Sequence, residues 1–411
     1  MQPPRLLLIS DMVPGAPGVG GVYLNDLCAL YPADRLACCA IGASPNDPWP
    51  GPFDDAAHTT VPRPAEHGFL RLGRHVHRRT RAPYERYVAA RTRRDVLPRI
   101  VRFGRDAGVD AVCVPLASPT SIRVAAATAG ALGVPLHTLV WDPPRYYLGE
   151  YWKLRGTALE ELLRLFGKAV SQAERCGVMS DEMSRDYERA YGTACVVMQH
   201  GIARRWWRPP ATAPAPDRLT IAYAGSLYAR SEWNALLDAL ARRNWRLAGR
   251  EVTIRFLGSR LELDVAAPAR IEFLGWRNRA ETLALLAESD VCYLPYWFAE
   301  EYAEVVRQAF PTKLPTYLAA GRPVFFHAPR DSSPARFFDR YAAGTLCDSR
   351  DPDRIAAALE LLVTDRDAYY RAGLAGRVAL EECFDLEIFR RRFAALLGVD
   401  AASLNAVESL P

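Results

Sequence analysis

Hydrophobic positions in this chain come in short continuous runs rather than in alternation. Residues 5–10 (RLLLIS), 36–41 (LACCAI), 111–116 (AVCVPL) and 136–140 are such runs, and 176–179 and 195–198 continue the series. Apolar runs of this length suit strands buried on both faces of a parallel sheet. Between them lie stretches with helical spacing, at 22–30, 121–132, 157–169 and 181–191. A glycine-proline loop, PGAPGVGG, separates the first run from the first helix. Strand, glycine loop, helix is how a doubly wound α/β domain begins.

The pattern then restarts. Residues 208–217 (RPPATAPAPD) form a proline-alanine stretch of the kind that joins domains. After it come apolar runs at 219–224, 252–257, 271–274, 291–294 and 324–326. Helical spacing recurs at 233–242, 279–288, 355–363, 367–382 and 389–397. The expected fold is α/β, with two facing Rossmann-like doubly wound domains and an interdomain cleft. The expected divisions are 1–208, a linker at 209–217, a second domain at 218–384, and a C-terminal helix at 385–411 crossing back to the first.

Composition agrees with this plan. A chain of 411 residues, half of them hydrophobic and 24% charged, has room for two ordinary domains. No apolar run approaches the ~18 residues of a membrane span, and the N-terminus reads as a first strand rather than an export signal. Nine cysteines lie scattered without metal-ligand spacing. Reduced, buried thiols and a cytoplasmic setting are expected.

Charge changes the picture in one place. The net +5 conceals a block at 63–105 with thirteen Arg against three acidic residues. A block of that kind meets an anionic acceptor or a membrane surface, or else forms solvated helices. Its prolines, Pro62, Pro64 and Pro83, divide it into two expected helices, 71–80 and 84–103. No zinc finger, helix-turn-helix or RNA-binding signature accompanies it, so nucleic acid is not an expected partner. His75 and His77, inside the block, read as surface residues rather than metal ligands.

The chemistry concentrates at 308–324, QAFPTKLPTYLAAGRPV. Thr312 and Lys313 are expected in the first turn of a helix, where free N–H groups and the helix dipole favour an anion. Pro315 is tolerated in such a turn. Only three of the 52 Lys and Arg residues are Lys (Lys153, Lys168 and Lys313), which sets Lys313 apart. Phosphate ligand and ordinary surface cation both remain open for it at this point. The first glycine loop lacks the GxGxxG spacing, and the run at 36–41 ends without an Asp or Glu for a ribose. Both points argue against a nicotinamide enzyme.

These motifs, taken in order, resemble the glycosyltransferases of the two-Rossmann (GT-B) type, in particular the large retaining family 4. The resemblance rests on Gly20-Gly21 before the first helix and on Val197 to Gly201 before the proline stretch. It continues through Tyr223 to Ser226, Phe273-Leu274-Gly275 and the DVCYLP run at 290–295. It is strongest at FPTKL and YLAAGRPV, which are similar to the family form FPSKLxEYLAAGxPV. The resemblance implies transfer of a sugar from a nucleotide-diphosphate donor to an acceptor hydroxyl, with retention and without a metal or other cofactor.

By that resemblance the donor side comprises Gly20, Gly21, Gly225, Ser226, Arg230, Trp276, Arg277, Gln308, Thr312, Lys313 and Thr316. Trp276-Arg277 would seat the base. Lys313 would also act in catalysis, because a leaving diphosphate needs positive charge where charge develops. Asp142, at the carboxyl end of a strand, would contact the acceptor or cap the next segment. The family's paired glutamates, however, fall on Gln308 and Thr316, and its His-Asp on Trp141-Asp142. Those departures imply either an unusual donor or a loss of catalysis. A non-catalytic transferase partner and a sugar-nucleotide epimerase remain alternatives. Glu300, Glu301 and Glu304 read as a solvated acidic face, and Trp206-Trp207 as packing rather than a sugar platform. The protein is expected to be cytoplasmic or peripheral to the inner face of the membrane, acting on an acceptor that is anionic or membrane-associated.

Overall fold

A computed structural model describes residues 2–42, 49, 56–64, 66, 74–258 and 270–409. It divides the chain into two compact units, 1–198 with 390–411, and 199–389.

The first unit is built on a seven-stranded parallel sheet. Its strands are β1 (Leu6–Ser10), β2 (Leu36–Ile41), β3 (Ala57–Val61), β4 (Ala111–Pro115), β5 (Leu136–Leu139), β6 (Arg175–Val178) and β7 (Ala194–Val197). Their order is β3-β2-β1-β4-β5-β6-β7. Every residue of β1, β2, β4 and β5 is buried, as the continuous apolar runs require. Leu7, Ile9, Val112, Val114, Ile122 and Phe166 belong to one core cluster.

Local signals set the helix ends. Ser118 caps helix Pro119–Leu132 in a reciprocal box with Ser121, and Gly133 closes it at φ 71°. Ser180 and Gly192 do the same for Asp181–Tyr191, with a single side-chain cap bond at the start. The first helix starts at Val19, so Gly20 and Gly21 lie in its opening turn rather than in the preceding loop.

The arginine-rich block departs from the expected pair of helices. Helix Arg74–Arg91 contains Pro83, and the run continues through a wider turn at Thr92–Val96 into Leu97–Asp106. Pro83 is exposed, and there a helix can bend and hydrate the carbonyl it fails to bond. The expected start at 71–73 and the side chains of His75 and His77 lie outside the described residues.

The second unit repeats the plan with β8 (Arg218–Ala224), β9 (Arg246–Leu247), β10 (Arg250–Leu257), β11 (Ile271–Phe273), β12 (Val291–Pro295), β13 (Val324–His327) and β14 (Gly344–Cys347). The order is β11-β10-β8-β12-β13-β14, with β9 antiparallel beside β10. Trp233, Tyr223, Tyr293, Phe256 and Phe325 fill its core, all fully buried. Residues 208–217 are bonded down onto this unit. Arg208 N–H reaches the Ala319 carbonyl at 2.7 Å and Ala211 N–H the Gly321 carbonyl at 3.0 Å. The buried Asp290 carboxylate accepts from Ala215 N–H at 2.8 Å and from Thr220 N–H at 2.7 Å.

Strands β3, β9 and β14 were not expected. β3 and β14 are edge strands and β9 has two residues, and most of their positions are not fully buried, so their sequences lack an apolar run. All nine cysteines are free. Among the described residues no helix is long and apolar enough to cross a membrane.

One core group ties stability to pH. His327, fully buried at the end of β13, lies 2.9 Å from the Tyr293 hydroxyl through Nδ1 and 2.7 Å from the Ser349 carbonyl through Nε2. The neutral ring suits both, donating from Nε2 and accepting at Nδ1. Burial pushes its pKa down to about 4. The folded value lies below the unfolded one, so the stabilisation is complete above about pH 6.5 and is lost as pH falls toward 4. His137, held down to about 4 in the same way, adds to this loss. Denaturant melts at pH 7 and pH 4.5 should differ, and His327→Phe should remove on the order of 2–3 kcal/mol of that difference.

Candidate functional site

Ligands of doubly wound sheets bind at the carboxyl ends of the strands, where the strand order reverses. In the second unit that point lies between β8 and β12. β8 ends in Ala224, and the chain turns at Gly225, whose φ is 118°. Only glycine adopts this backbone readily. Two further constraints apply. A Cβ at Gly225 would lie 2.7 Å from Lys313 Cε and 3.1 Å from Nζ, so the lysine side chain lies directly over the turn. At Gly258 a Cβ would lie 2.1 Å from the Gly225 carbonyl oxygen, so the neighbouring strand end is also pared to glycine.

The lysine reaches this place from the segment that sequence reasoning singled out, but with different local structure. Helix Leu314–Ala319 has only six residues, and Lys313 is its capping residue in the α conformation. Thr312 and Lys313 therefore precede the helix instead of forming its first turn. The reason is local: Leu314 N–H bonds back to the Pro311 carbonyl at 3.0 Å, in a tight turn that delays the helix. Tyr317, one turn on, is fully buried, and its hydroxyl oxygen accepts the Ala224 N–H at 3.0 Å. Burial holds the Tyr317 phenol well above its usual pKa, so it stays neutral and keeps the bond. That bond joins the lysine-bearing helix to the end of β8.

Aromatic rings complete the surroundings. Lys313 Nζ lies 4.6 Å from the Tyr228 ring centre and 5.4 Å from that of Tyr223. Tyr228 packs against Trp297 at 5.0 Å and Tyr296 at 6.2 Å, from the loop after β12. Glu232 fixes that loop. It is fully buried and accepts from Phe298 N–H at 3.0 Å and Ser231 Oγ at 2.7 Å. An ammonium on aromatic faces is held by the ring quadrupoles.

The other candidates fall into groups. Ser226 is exposed in the turn and its carbonyl accepts from the Tyr223 hydroxyl; the Gly225 N–H is already bonded to the Leu257 carbonyl at 2.7 Å. Arg230 begins helix Arg230–Arg242 and is exposed. Gln308 closes helix Ala303–Gln308 and is buried, while Thr312 and Thr316 are half-buried. Trp276 and Arg277 follow β11, two strands out from β8 on the same edge, and both are exposed. Glu300, Glu301 and Glu304 are exposed. Trp207 carries Arg204 and Arg377 against its ring and donates to the Ile202 carbonyl at 3.1 Å, which is packing.

Gly20, Gly21 and Asp142 belong to the first unit. A Cβ at Gly21 would lie 2.1 Å from the Ala16 carbonyl oxygen, and one at Gly20 would lie 2.6 Å from Met12 Sδ. Backbone closeness thus demands Gly21, whereas at Gly20 it is chiefly the flexible end of Met12 that stands in the way. Asp142 follows β5, half-buried. Tyr223, Tyr228 and Glu232 were missed by the sequence reading. Tyr223 and Tyr228 flank the glycine turn within three residues of it, which was the available signal; Glu232 looks like any acid in a helix's first turn.

Residues 218–365 match the family model for glycosyl transferases group 1. That stretch, which lies within the second unit, is related to the glycosyl transferases group 1. The comparison with curated proteins finds no match. Solved structures similar to this chain include a sucrose-phosphate synthase from Thermosynechococcus elongatus. It is 16% identical, with 96% of this chain and 98% of that one covered and a TM-score of 0.66. Anabaena Alr3699/HepE in complex with UDP-glucose is 14% identical, covering 96% and 99%, with a TM-score of 0.66. WaaG, a glycosyltransferase involved in lipopolysaccharide biosynthesis, is 12% identical, covering 96% and 100%, with a TM-score of 0.62. At these identities the likeness establishes the fold, the two-sheet GT-B type.

The Tyr317 bond can be tested without any ligand. Tyr317→Phe leaves the Ala224 N–H without its acceptor and should cost about 1–3 kcal/mol in urea unfolding.

Proposed function

We propose that this protein is a glycosyltransferase that takes its sugar from a nucleoside-diphosphate donor, held by the second unit, and passes it to an acceptor hydroxyl. The observation that carries the reading is the Lys313 ammonium over Gly225, at the point where the second sheet's strand order reverses. The bond to the anomeric carbon breaks as negative charge grows on the departing diphosphate, and a fixed cation lowers the energy of that state. Lys313 supplies the cation, so the reaction proceeds without a metal ion. Transfer proceeds with retention, a reading that rests on the family resemblance alone.

Each remaining residue has a stated task. The Thr312 hydroxyl and the Ser226 turn bond phosphate oxygens, with Arg230 adding charge nearby. Trp276 and the backbone at Arg277 hold the base. Thr316 hydrogen-bonds a ribose hydroxyl in place of a carboxylate, and Gln308 faces the sugar. Gly20 and Gly21 admit the donor closely, and Asp142 takes the acceptor hydroxyl. The neighbours support this assignment only at the level of the donor: one of them is titled as a complex with UDP-glucose.

Calorimetry with UDP tests the central residue. Lys313→Ala should weaken UDP binding by about 1.5–3 kcal/mol, the scale of a hydrogen bond to a charged group. Unchanged affinity sinks the role given to Lys313. Failure of UDP, GDP and ADP alike to bind the native protein sinks the donor itself.

The acceptor side carries a second proposal, that the protein works at the inner face of a membrane. Arg86, Arg91, Arg93, Arg94, Arg99 and Arg102 are all exposed along the helical run Arg74 to Asp106, with Tyr87 57% exposed among them. Binding to vesicles containing phosphatidylglycerol should fall steeply between 50 and 300 mM salt, as screening predicts. Equal binding to purely neutral vesicles would refute it.

A further inference from the structure

Helix Arg366–Ala379, in the second unit, has two faces of different character. Its start is fixed by Asp365, whose carboxylate accepts the Ala368 N–H at 2.9 Å. Tyr369, Ala372, Gly373, Gly376 and Ala379 are buried on the inner face. There the Tyr369 hydroxyl donates to the Asp290 carbonyl at 2.7 Å, and a Cβ at Gly376 would lie 3.1 Å from Leu318 Cδ2. The outer face carries Tyr370, Leu374 and Val378, spaced by four and 39%, 40% and 44% exposed. Leu361, 68% exposed, stands one turn before the end of the preceding helix Pro352–Thr364, at the same end of the helical hairpin as Tyr370. Nine large hydrophobic side chains are exposed among the described residues, and four of them sit on these two consecutive helices. Single exposed apolar residues are ordinary, whereas a stripe along one helix face marks a surface that a partner covers.

Charge says which partner. Arg371 lies three residues before Leu374, and Glu381 three residues after Val378, both exposed. Among the described residues neither makes an ion pair within the chain. Glu382, by contrast, is engaged by the Tyr341 hydroxyl at 2.9 Å and by Arg340 at 3.3 Å. A partner surface of one sign would match one end of the stripe and repel the other. The complement is an apolar stripe with its charges in the reverse order, and the same helix turned end for end has that order. With Leu374 of one copy opposite Val378 of a second, Arg371 falls opposite Glu381, and two-fold symmetry makes each contact twice. Parallel pairing would instead set Arg371 against Arg371 and Glu381 against Glu381.

We propose that the outer face of helix Arg366–Ala379 binds a second copy of this chain, the two helices packing antiparallel about a two-fold axis. Tyr370, Leu374 and Val378 form the apolar seam, and Arg371 pairs with Glu381 of the second copy at both ends. The seam is one helix wide, so the dimer forms reversibly and follows concentration. This assembly stands independently of the glycosyltransferase reading.

Sedimentation velocity on the full chain tests it, over a series from about 1 to about 100 μM at low salt, the range of small interfaces. The native protein should shift from monomer to dimer across that series. Leu374→Glu should weaken the dimer at least about ten-fold by burying a charge in the seam, with the melting temperature unchanged because the position is on the surface. Arg371→Glu and Glu381→Arg should each weaken it at least about five-fold, since each sets like charges together at both ends. An equimolar mixture of those two variants should regain native affinity, because in the mixed pair both ends again join opposite charges. A native protein that stays monomeric overturns the proposal, whether or not the stripe then binds phospholipid vesicles. So does a dimer indifferent to Leu374→Glu, or a mixture of the two charge variants no stronger than either alone. Should Leu374→Glu lower the melting temperature, the mixing experiment decides without it.

Discussion

The contact of Lys313 with the Gly225 turn is the constraint around which the second unit is arranged. The lysine side chain lies directly over a strand end that has no Cβ, and the adjacent strand end, Gly258, has no room for one against the Gly225 carbonyl. The lysine must also be held from below, and the Tyr317 hydroxyl does so by bonding the last amide of β8. Tyr223 and Tyr228 then form the aromatic seat, and Glu232 anchors the loop that supports Tyr228 from the far side. Each part has a cost: a positive φ, a buried carboxylate, a buried phenol. Each is compensated by a bond or contact to another member of the same group.

The first unit uses the same architectural rule with opposite electrostatics. Near its reversal point the carboxylates of Asp11, Glu66 and Glu85 outnumber Arg63 and Arg123, while the second unit's carries a lysine against aromatic rings. The proposed transfer would draw on this asymmetry. In that proposal a departing diphosphate would be stabilised by positive charge, and an incoming hydroxyl by a hydrogen-bond acceptor. Two sheets of one topology thus supply two chemistries, because the sheet fixes only where the loops emerge and the loops decide the charge.

Much of the fold was legible in the sequence because buried parallel strands advertise themselves. Residues 36–41 and 291–294 are apolar without interruption, and helix 181–191 has a serine before it and a glycine after it. The edge strands at 57–61 and 344–347 escaped notice because half-exposed strands carry no such run. Pro83 misled in the other direction, since a surface helix can absorb a proline that a buried one cannot. Lys313 stood out through rarity and its motif. Its partners Tyr223 and Tyr228 did not, because they lie about ninety residues away in the chain.

The amino-acid sequence alone determined the alternation of elements, the two parallel sheets and the segment bearing the lysine. Those follow from local propensity and hydrophobic periodicity, which act over a few residues. Tertiary structure decided which residues surround that lysine, that Lys313 caps its short helix from outside, and that Asp11 and Arg63 share one edge. These facts depend on strand order. Only packing brings the end of β1 beside β4, or the end of β8 beside β12, and no local pattern in the chain records those neighbours.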